Sequence, residues 1–242
     1  MFPMDLTDFQ KTVLEKASAT RGYGGHAAAS CRRHLERAWK LQAEEEAATA
    51  IFQGLRKRHS DWSKKLKSWD HKHKAGVYPF LRLLGGVLSP PEGSLNLNLF
   101  FDGSGKQNLA EILRIRMPIS IEGGQQYYLV PEPPLGFVST GPGGKERDYT
   151  QEVREVASEH GIESVFDYIK AQANERNKML YASDTGIPEV ENASEALQRH
   201  SKAALLNLII YLLIEPHKKQ SLPQEALYSY IEILSRIEAR ET

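Results

Sequence analysis

The spacing of apolar residues divides the chain into two helical parts around a middle part that favours strands. Helical spacing predicts helices over Leu6–Lys16, His26–His59, Asp61–Ala75, Tyr149–His160, from there to Tyr181, over Glu195–Ile214 and after Pro223. Alternating apolar residues over Leu95–Phe101 predict a strand, and further strands are predicted over Ile112–Ile121 and Gln126–Val130. The pattern predicts a mainly α fold, in which residues 1–87 and 149–242 form one discontinuous helical bundle and residues 88–148 a small β-rich insertion.

Three of the predicted helices carry a polar residue on their apolar face. Glu46 falls inside the apolar stripe of its helix, whereas the two preceding glutamates are predicted to point away from that stripe. His73 continues the apolar face of the next helix, and Arg176 lies on the apolar face of a later one, with Asn177 on its flank. Because an unpaired charge out of water costs several kcal/mol, we expect Glu46 and Arg176 to meet, with His73 and Asn177 close by.

Such a polar cluster has two interpretations. It can be a structural network that fixes the register of a helical bundle. It can also be a site where an arginine stabilises a phosphate and a histidine or glutamate transfers protons. The pattern of residues leaves both open.

The composition limits the classes of function. Lys plus Arg (31) balance Asp plus Glu (31), so no net charge attracts nucleic acid or an anionic membrane. Cys31 is the single cysteine, which excludes an intrachain disulfide and a zinc site with several cysteines. The longest apolar run, Ala203–Ile214, is too short to cross a bilayer. We therefore expect no membrane partner and a cytoplasmic protein, and no pattern in the sequence calls for a metal or a cofactor.

A local excess of positive charge between residues 56 and 74 is the candidate surface for nucleic acid. The candidate phosphate-binding residues are Arg56, Arg58, Lys64, Lys67 and Lys74. The alternative is an ordinary solvated helix face. Trp62 and Trp69 lie among these cations, and their spacing with Leu66 predicts that both rings are in the core.

Three short stretches carry a family resemblance. They are EEEAATAIF (Glu44–Phe52), DHKHK (Asp70–Lys74) and RNKMLYASDTGIP (Arg176–Pro188). Together they resemble the AbiV-like abortive-infection family of the HEPN superfamily. Its members share a helical acidic pair, a later His-x-x-Lys-like stretch, and an Arg-x-x-x-Leu-Tyr helix followed by Asp and Pro. The resemblance implies a HEPN-like helical bundle and a role in antiviral defence.

The resemblance also implies a chemistry. Many HEPN domains are metal-independent ribonucleases that use an Arg-Asn-x-x-x-His motif, commonly across a dimer interface. In this chain Tyr181 occupies the position of the motif's histidine, and a tyrosine titrates near pH ~10 and is a poor base at neutral pH. The implied catalytic set is Arg176 and Asn177 at the phosphate, His73 or Tyr181 for proton transfer, and Glu46 to orient Arg176.

The implied partners are RNA, a protein encoded nearby and a second copy of the chain in a homodimer. The competing hypothesis is a non-catalytic interaction module in which the same polar residues are structural. In that case the insertion or the basic face binds a partner protein.

Overall fold

The computed structural model describes residues 6–36, 40–88, 97–103, 112–120, 126–136, 140, 142–146 and 193–239, and the single residues 151, 155 and 167. In this part of the chain the fold is mainly helical with a small antiparallel sheet, as the sequence predicts. Apart from those three single residues, the helices predicted between 149 and 181 lie outside the described residues.

Most of the described residues belong to helices. The helices are α1 (Asp8–Ser18), α2 (Tyr23–Glu36), α3 (Lys40–Arg58), α4 (Ser60–Ser63), α5 (His71–Ala75), α6 (Val77–Leu88), α7 (Ala193–Ile214) and α8 (Ser221–Ala239). The start of α1 follows from its sequence, because Thr7 and Gln10 form a reciprocal capping box. Pro223 lies in the first turn of α8, where the backbone N–H groups have no helical acceptor and a proline is tolerated.

Two long helices of the prediction are wrong. The stretch His26–His59 contains two helices, α2 and α3, which pack against each other. The stretch Asp61–Ala75 contains only the short helices α4 and α5. Between them Leu66 is fully buried in a non-helical segment, and Asp70 starts α5 as its N-cap. The helical spacing of apolar residues therefore does not produce one helix here, because Leu66 is buried outside a helix and the Asp70 cap starts a new one.

Helix α3 lies at the centre of the fold. It packs against α2 on one side and α7 on another, and α5 also contacts it. Small side chains allow these close approaches, since Ala43, Ala47, Ala48 and Ala50 are all fully buried. With neighbours around it, α3 has little surface left for solvent, so even its polar residues face other helices.

The N-terminal turn of α2 approaches α7 closely. A Cβ on Gly24 would lie 2.7 Å from the hydroxyl oxygen of Tyr211, a fully buried residue of α7. That hydroxyl is 2.6 Å from the Thr20 Oγ1 atom. The absence of a side chain at Gly24 therefore allows the first turn of α2 to pack closely against α7.

The predicted strands are confirmed. Strands β1 (Asn98–Asp102), β2 (Ile112–Ser120) and β3 (Gln126–Leu129) form an antiparallel sheet in the order β1-β2-β3. Leu113 and Ile115 of β2 are buried and belong to the same apolar core as α3 and α7. The inward face of β2 thus attaches the sheet to the helices.

A cavity of about 390 Å³ lies between the helices and the sheet. Its lining is almost entirely aliphatic and aromatic and comes from α3, α6, α7, α8 and the first two strands. Gly85 of α6 is part of this lining, and a Cβ added there would meet no atom of the described residues within 4 Å. Within the described ranges, no helix is both long enough and apolar enough to cross a membrane.

Candidate functional site

The acidic triplet at residues 44–46 in the middle of α3 organises the polar contacts of the fold. Successive residues of a helix are about 100° apart, so the three carboxylates point to three different neighbours. Glu44 and Glu45 are predicted to lie off the apolar stripe of this helix, but their side chains are nevertheless largely buried and paired with other elements. The cause is the central position of α3.

The Glu45 carboxylate contacts two residues of α5, His71 and Lys74. Each of its oxygens is 2.9 Å from the Nδ1 atom of His71, and Oε2 also accepts a hydrogen bond from the Lys74 ammonium at 3.0 Å. The side chains of Glu45 and Lys74 are only 14% and 11% exposed, whereas that of His71 is 45% exposed. We call Glu45, His71 and Lys74 the Glu45 cluster.

The geometry of the Glu45 cluster fixes the state of the imidazole. Because Nδ1 faces a carboxylate, a proton lies on Nδ1, and in the neutral form of the imidazole Nε2 then carries the lone pair. A carboxylate that orients a histidine in this way is the arrangement by which enzymes present an imidazole for proton transfer. The half-exposed side chain of His71 makes this chemistry accessible to a bound molecule, and the Lys74 ammonium supplies a positive charge one turn away.

The start of α5 places His71. Asp70 is the N-cap residue, and its side chain accepts a hydrogen bond of 2.9 Å from the Lys72 backbone N–H. His71 is consequently the first residue of the helix, and Lys74 follows three residues later on the same side.

Glu46 lies beside the Glu45 cluster but faces other groups. Partial burial is the main reason that its pKa is raised, and the charge of Glu45 raises it further, while Lys74 and Arg33 oppose the shift. The charge of Glu46 in turn adds to the effect of burial in raising the pKa of the Cys31 thiol, which stays protonated. Glu46 is therefore a half-buried acid between α2 and α5.

His73 has partners other than those expected from the sequence. Its ring is buried, its Nδ1 atom accepts the Lys67 backbone N–H at 3.1 Å, and its Nε2 atom is 3.2 Å from Glu238 of α8. The Tyr230 hydroxyl donates to its backbone carbonyl. With both ring nitrogens engaged and the ring buried, His73 joins α5 to α8 and is poorly placed for proton transfer to a bound molecule.

Asp70, His73 and Glu238 offer three potential metal-ligand atoms within 4.8 Å of one another. The chemistry of the ring does not fit a metal there. A neutral histidine that binds a metal through Nε2 carries its proton on Nδ1 and donates it, whereas Nδ1 of His73 accepts a backbone N–H. Lys67 also places its ammonium 2.5 Å from the same Glu238 oxygen that His73 contacts. In place of a metal, the Glu238 carboxylate holds the Lys67 ammonium and the Nε2 atom of His73.

Glu44 forms a second buried pair that the sequence analysis did not identify. Its Oε2 atom is 2.5 Å from the Nδ1 atom of His200, and both side chains are nearly inaccessible. Burial raises the pKa of Glu44, although the hydrogen bond and charge of His200 act in the opposite direction. Among the described residues, the Nε2 atom of His200 has no hydrogen-bond partner. The pair connects α3 to α7.

Most of the predicted phosphate-binding cations bind groups of the protein itself. Arg56 contacts the Leu66 carbonyl at 2.5 Å, Arg58 the Glu215 carbonyl at 2.6 and 3.0 Å, Lys67 the Glu238 carboxylate and Lys74 the Glu45 carboxylate. Lys64 is exposed. The two arginines anchor the C-terminal end of α3 to the neighbouring segments, so they do not form an open phosphate-binding surface.

The two tryptophans of this region are not core residues, so that prediction is wrong. Trp62 is 41% exposed, and Trp69 is 74% exposed. The Lys65 ammonium covers the ring of Trp62 at 4.2 Å from its centre, and Tyr228 contacts that ring at 4.9 Å. The prediction from helical spacing is wrong because the segment between α4 and α5 is not a helix.

The predicted site residues Arg176, Asn177 and Tyr181 lie outside the described residues, so their meeting with Glu46 stays a prediction. The signal for the Glu45 cluster was present in the sequence. His71 and Lys74 have helical i, i+3 spacing, and they are the His-x-x-Lys stretch of the family resemblance. Comparison of the chain with protein-family models, curated proteins and solved structures finds no match.

Proposed function

We propose that this chain is a HEPN-like protein of RNA-directed antiviral defence and acts as a metal-independent endoribonuclease, with His71 as its proton-transfer residue. The observation that carries the proposal is the Glu45 cluster, in which one carboxylate holds a half-exposed imidazole and an ammonium at 2.9 and 3.0 Å. Glu45 and His71 are 26 positions apart in the chain, so two of the three stretches behind the family resemblance meet in one site.

The proposed reaction uses the 2′-hydroxyl of RNA. His71 takes the proton of that hydroxyl at Nε2, and the resulting oxygen attacks the adjacent phosphorus. The bond from phosphorus to the 5′-oxygen of the next nucleotide breaks, and the protonated imidazole returns the proton to that leaving oxygen. The products are a cyclic phosphate and a 5′-hydroxyl, and no metal takes part.

The positive charge near the phosphate has two proposed sources. Lys74 lies beside His71 and lowers the energy of the negative charge that grows on the phosphate. The family resemblance assigns phosphate binding to Arg176, and that assignment remains part of the proposal, as do Asn177 beside it and Glu46 as its orienting acid. The resemblance alone supports the role in abortive infection and the homodimer, whereas the composition of the sequence supports the cytoplasmic location.

Glu45 has the task of orientation. A carboxylate at Nδ1 keeps the proton of the neutral imidazole on that atom and stabilises the imidazolium that forms during the reaction. This assigns to His71 the proton transfer that the family resemblance implied for His73 or Tyr181, and adds Glu45 as the acid that orients His71.

A second candidate function is a non-catalytic interaction module. One observation favours this function: several polar side chains of this region bind other groups of the protein and so stabilise the fold. They are His73, Arg56, Arg58 and Lys67. In this case the Glu45 cluster joins α3 to α5 and transfers no proton.

Cleavage of RNA in EDTA separates the two candidates. The purified protein is compared with His71→Gln, Glu45→Gln and the control His26→Gln, which changes an exposed histidine of α2. General acid–base catalysis contributes roughly 100- to 10,000-fold, so we expect His71→Gln to lose at least about 100-fold in rate and His26→Gln to retain the wild-type rate. Circular dichroism verifies that the variants are folded.

Two results would count against the proposal. If folded His71→Gln cleaves as fast as the wild type, His71 has no catalytic role. If the wild type cleaves no RNA in EDTA, the interaction module is the better account.

A further inference from the structure

Trp69 has the largest exposed fraction among the large hydrophobic side chains that the structure describes. Its side chain is 74% exposed, compared with 60% for Tyr23. It lies two residues before His71, in the turn that leads into α5. A solvated indole next to a candidate site for RNA cleavage calls for a physical account.

The described part of the fold leaves this indole exposed to solvent. Trp69 occupies the position before the N-cap of α5, where an apolar residue often packs against the fourth residue of the helix. In α5 that fourth residue is Lys74, whose ammonium contacts Glu45 instead. Within the described part of the chain, no ring or cation covers the indole, in contrast to the ring of Trp62.

The backbone under Trp69 is held firmly on both sides. The Asp70 N–H donates to the Lys67 carbonyl at 3.1 Å, and the Lys67 N–H donates to the His73 ring at 3.1 Å. The Asp70 side chain caps α5. Since these bonds already fix the turn, a molecule that stacks on the indole has little backbone to order.

The surroundings favour an anionic ligand with flat, uncovered rings. Lys72, an exposed residue, follows within the same turn of the chain, and the Glu45 cluster begins at His71. Unpaired bases stack on aromatic side chains while nearby ammonium groups bind their phosphates. In a duplex the faces of the bases are covered by their neighbours and cannot reach an indole.

We propose that Trp69 is a stacking platform for an unpaired base of the RNA whose phosphate lies at His71, so that the substrate is single-stranded. This proposal rests on the proposed function. It makes Trp69 a specificity-determining residue that selects unpaired RNA and places it, while His71 performs the proton transfer.

Binding is measured without cleavage. A fluorescently labelled single-stranded RNA and its duplex are titrated with His71→Gln, and anisotropy gives the dissociation constants. The same titrations are made with Trp69→Ala and Trp69→Phe in the His71→Gln background. Tyr23→Ala in that background is the matched control, because it also removes a well-exposed ring.

Loss of a stacked base weakens binding by about 5- to 150-fold, and we expect this loss for Trp69→Ala with single-stranded RNA. Trp69→Phe is expected to keep most of the affinity, and Tyr23→Ala to keep all of it. Duplex RNA is expected to bind more weakly and with no effect of Trp69→Ala.

The outcomes separate this proposal from the proposed function. If Trp69→Ala binds single-stranded RNA as tightly as its parent while the wild type cleaves RNA, the platform is overturned and the nuclease stands. In that case the indole fits a protein partner instead. If Trp69→Ala weakens binding but the wild type cleaves nothing, the platform stands and the nuclease falls. Absence of any RNA binding by the parent overturns the platform as well.

Discussion

The ion pair between Glu45 and Lys74 should behave as a buried pair and not as a surface one. Glu45→Gln removes the charge of the acid and keeps an oxygen that accepts from His71, and Lys74→Met removes the ammonium and keeps the length of the side chain. Each single change leaves the partner poorly solvated, because the two side chains are only 14% and 11% exposed. The double variant leaves no unpaired charge.

The distance and the burial set the size of the effect. At 3.0 Å, two unit charges attract by about 5.5 kcal/mol at an effective dielectric constant of about 20, and by about 1.4 kcal/mol in water. Desolvation and lost side-chain freedom offset much of the larger figure. We expect a coupling energy of about 2 kcal/mol, clearly above the roughly 0.2–1 kcal/mol measured for exposed pairs.

A double-mutant cycle measures this coupling. The free energy of unfolding is obtained for the four proteins by urea titration at pH 7, followed by circular dichroism and by tryptophan fluorescence to test for a single transition. A coupling below about 0.5 kcal/mol, within the range of exposed pairs, would refute the argument. It would mean that solvent reaches the pair and that Glu45 does not hold α5 in place.

Four further substitutions test the packing and the electrostatics. Gly85→Ala should raise the free energy of unfolding by about 0.5–1 kcal/mol, since the added Cβ lies in a helix and meets no atom of the described residues. Gly24→Ala should lower the free energy of unfolding by about 1–3 kcal/mol, because the added Cβ clashes with Tyr211. Urea titration of both variants tests these opposite signs. Asn207→Leu should raise the melting temperature, because the fully buried amide has no hydrogen-bond partner among the described residues and such a group costs about 1–3 kcal/mol; a lower value would reveal a partner. Hydrogen bonds from Lys67 and, to a smaller extent, from His73 lower the pKa of the Glu238 carboxylate. The stabilising effect of Glu238 is therefore present above about pH 4.3 and is lost as the pH falls through the lowered pKa. Glu238→Gln should therefore lose less stability than the wild type in urea titrations below about pH 4.3, and an equal loss would contradict this assignment.

The sequence predicted the local elements where local chemistry decides them. The capping box of Thr7 fixes the start of α1, and the alternation of apolar residues fixes β1 and β2 to within a few residues. Leu227, Ile231, Leu234 and Ile237 of α8 recur at helical spacing and are all buried. In each case a short stretch of chain carries the whole signal.

The break between α2 and α3 could not be predicted in this way. No glycine or proline lies between Glu36 and Lys40, and apolar residues at four-residue spacing continue through the break. Both helices contribute to one core, so the same spacing serves two separate helices. Only the packing of α2 against α3 distinguishes a hairpin from a single long helix.

The sequence placed polar residues on the helices that became α3 and α5, but the polar contacts between these two helices come from Glu45, His71 and Lys74. The argument for Glu46 and His73 assumed that each helix has one buried face. Helix α3 is surrounded by other helices, so Glu44 and Glu45 also face the interior. His71 could not be preferred over His73 from the sequence, because the choice depends on where Lys67 and Glu238 lie in the fold.

Chemical rescue is the most direct test of the claim that His71 transfers the proton. His71→Gly removes an imidazole that is 45% exposed, so added imidazole can enter the space beside Glu45. The rate of RNA cleavage in EDTA is measured for this variant with and without imidazole. The account predicts a rate near zero without imidazole and a rate that rises with its concentration. If His71→Gly cleaves RNA at the wild-type rate without imidazole, His71 does not transfer the proton.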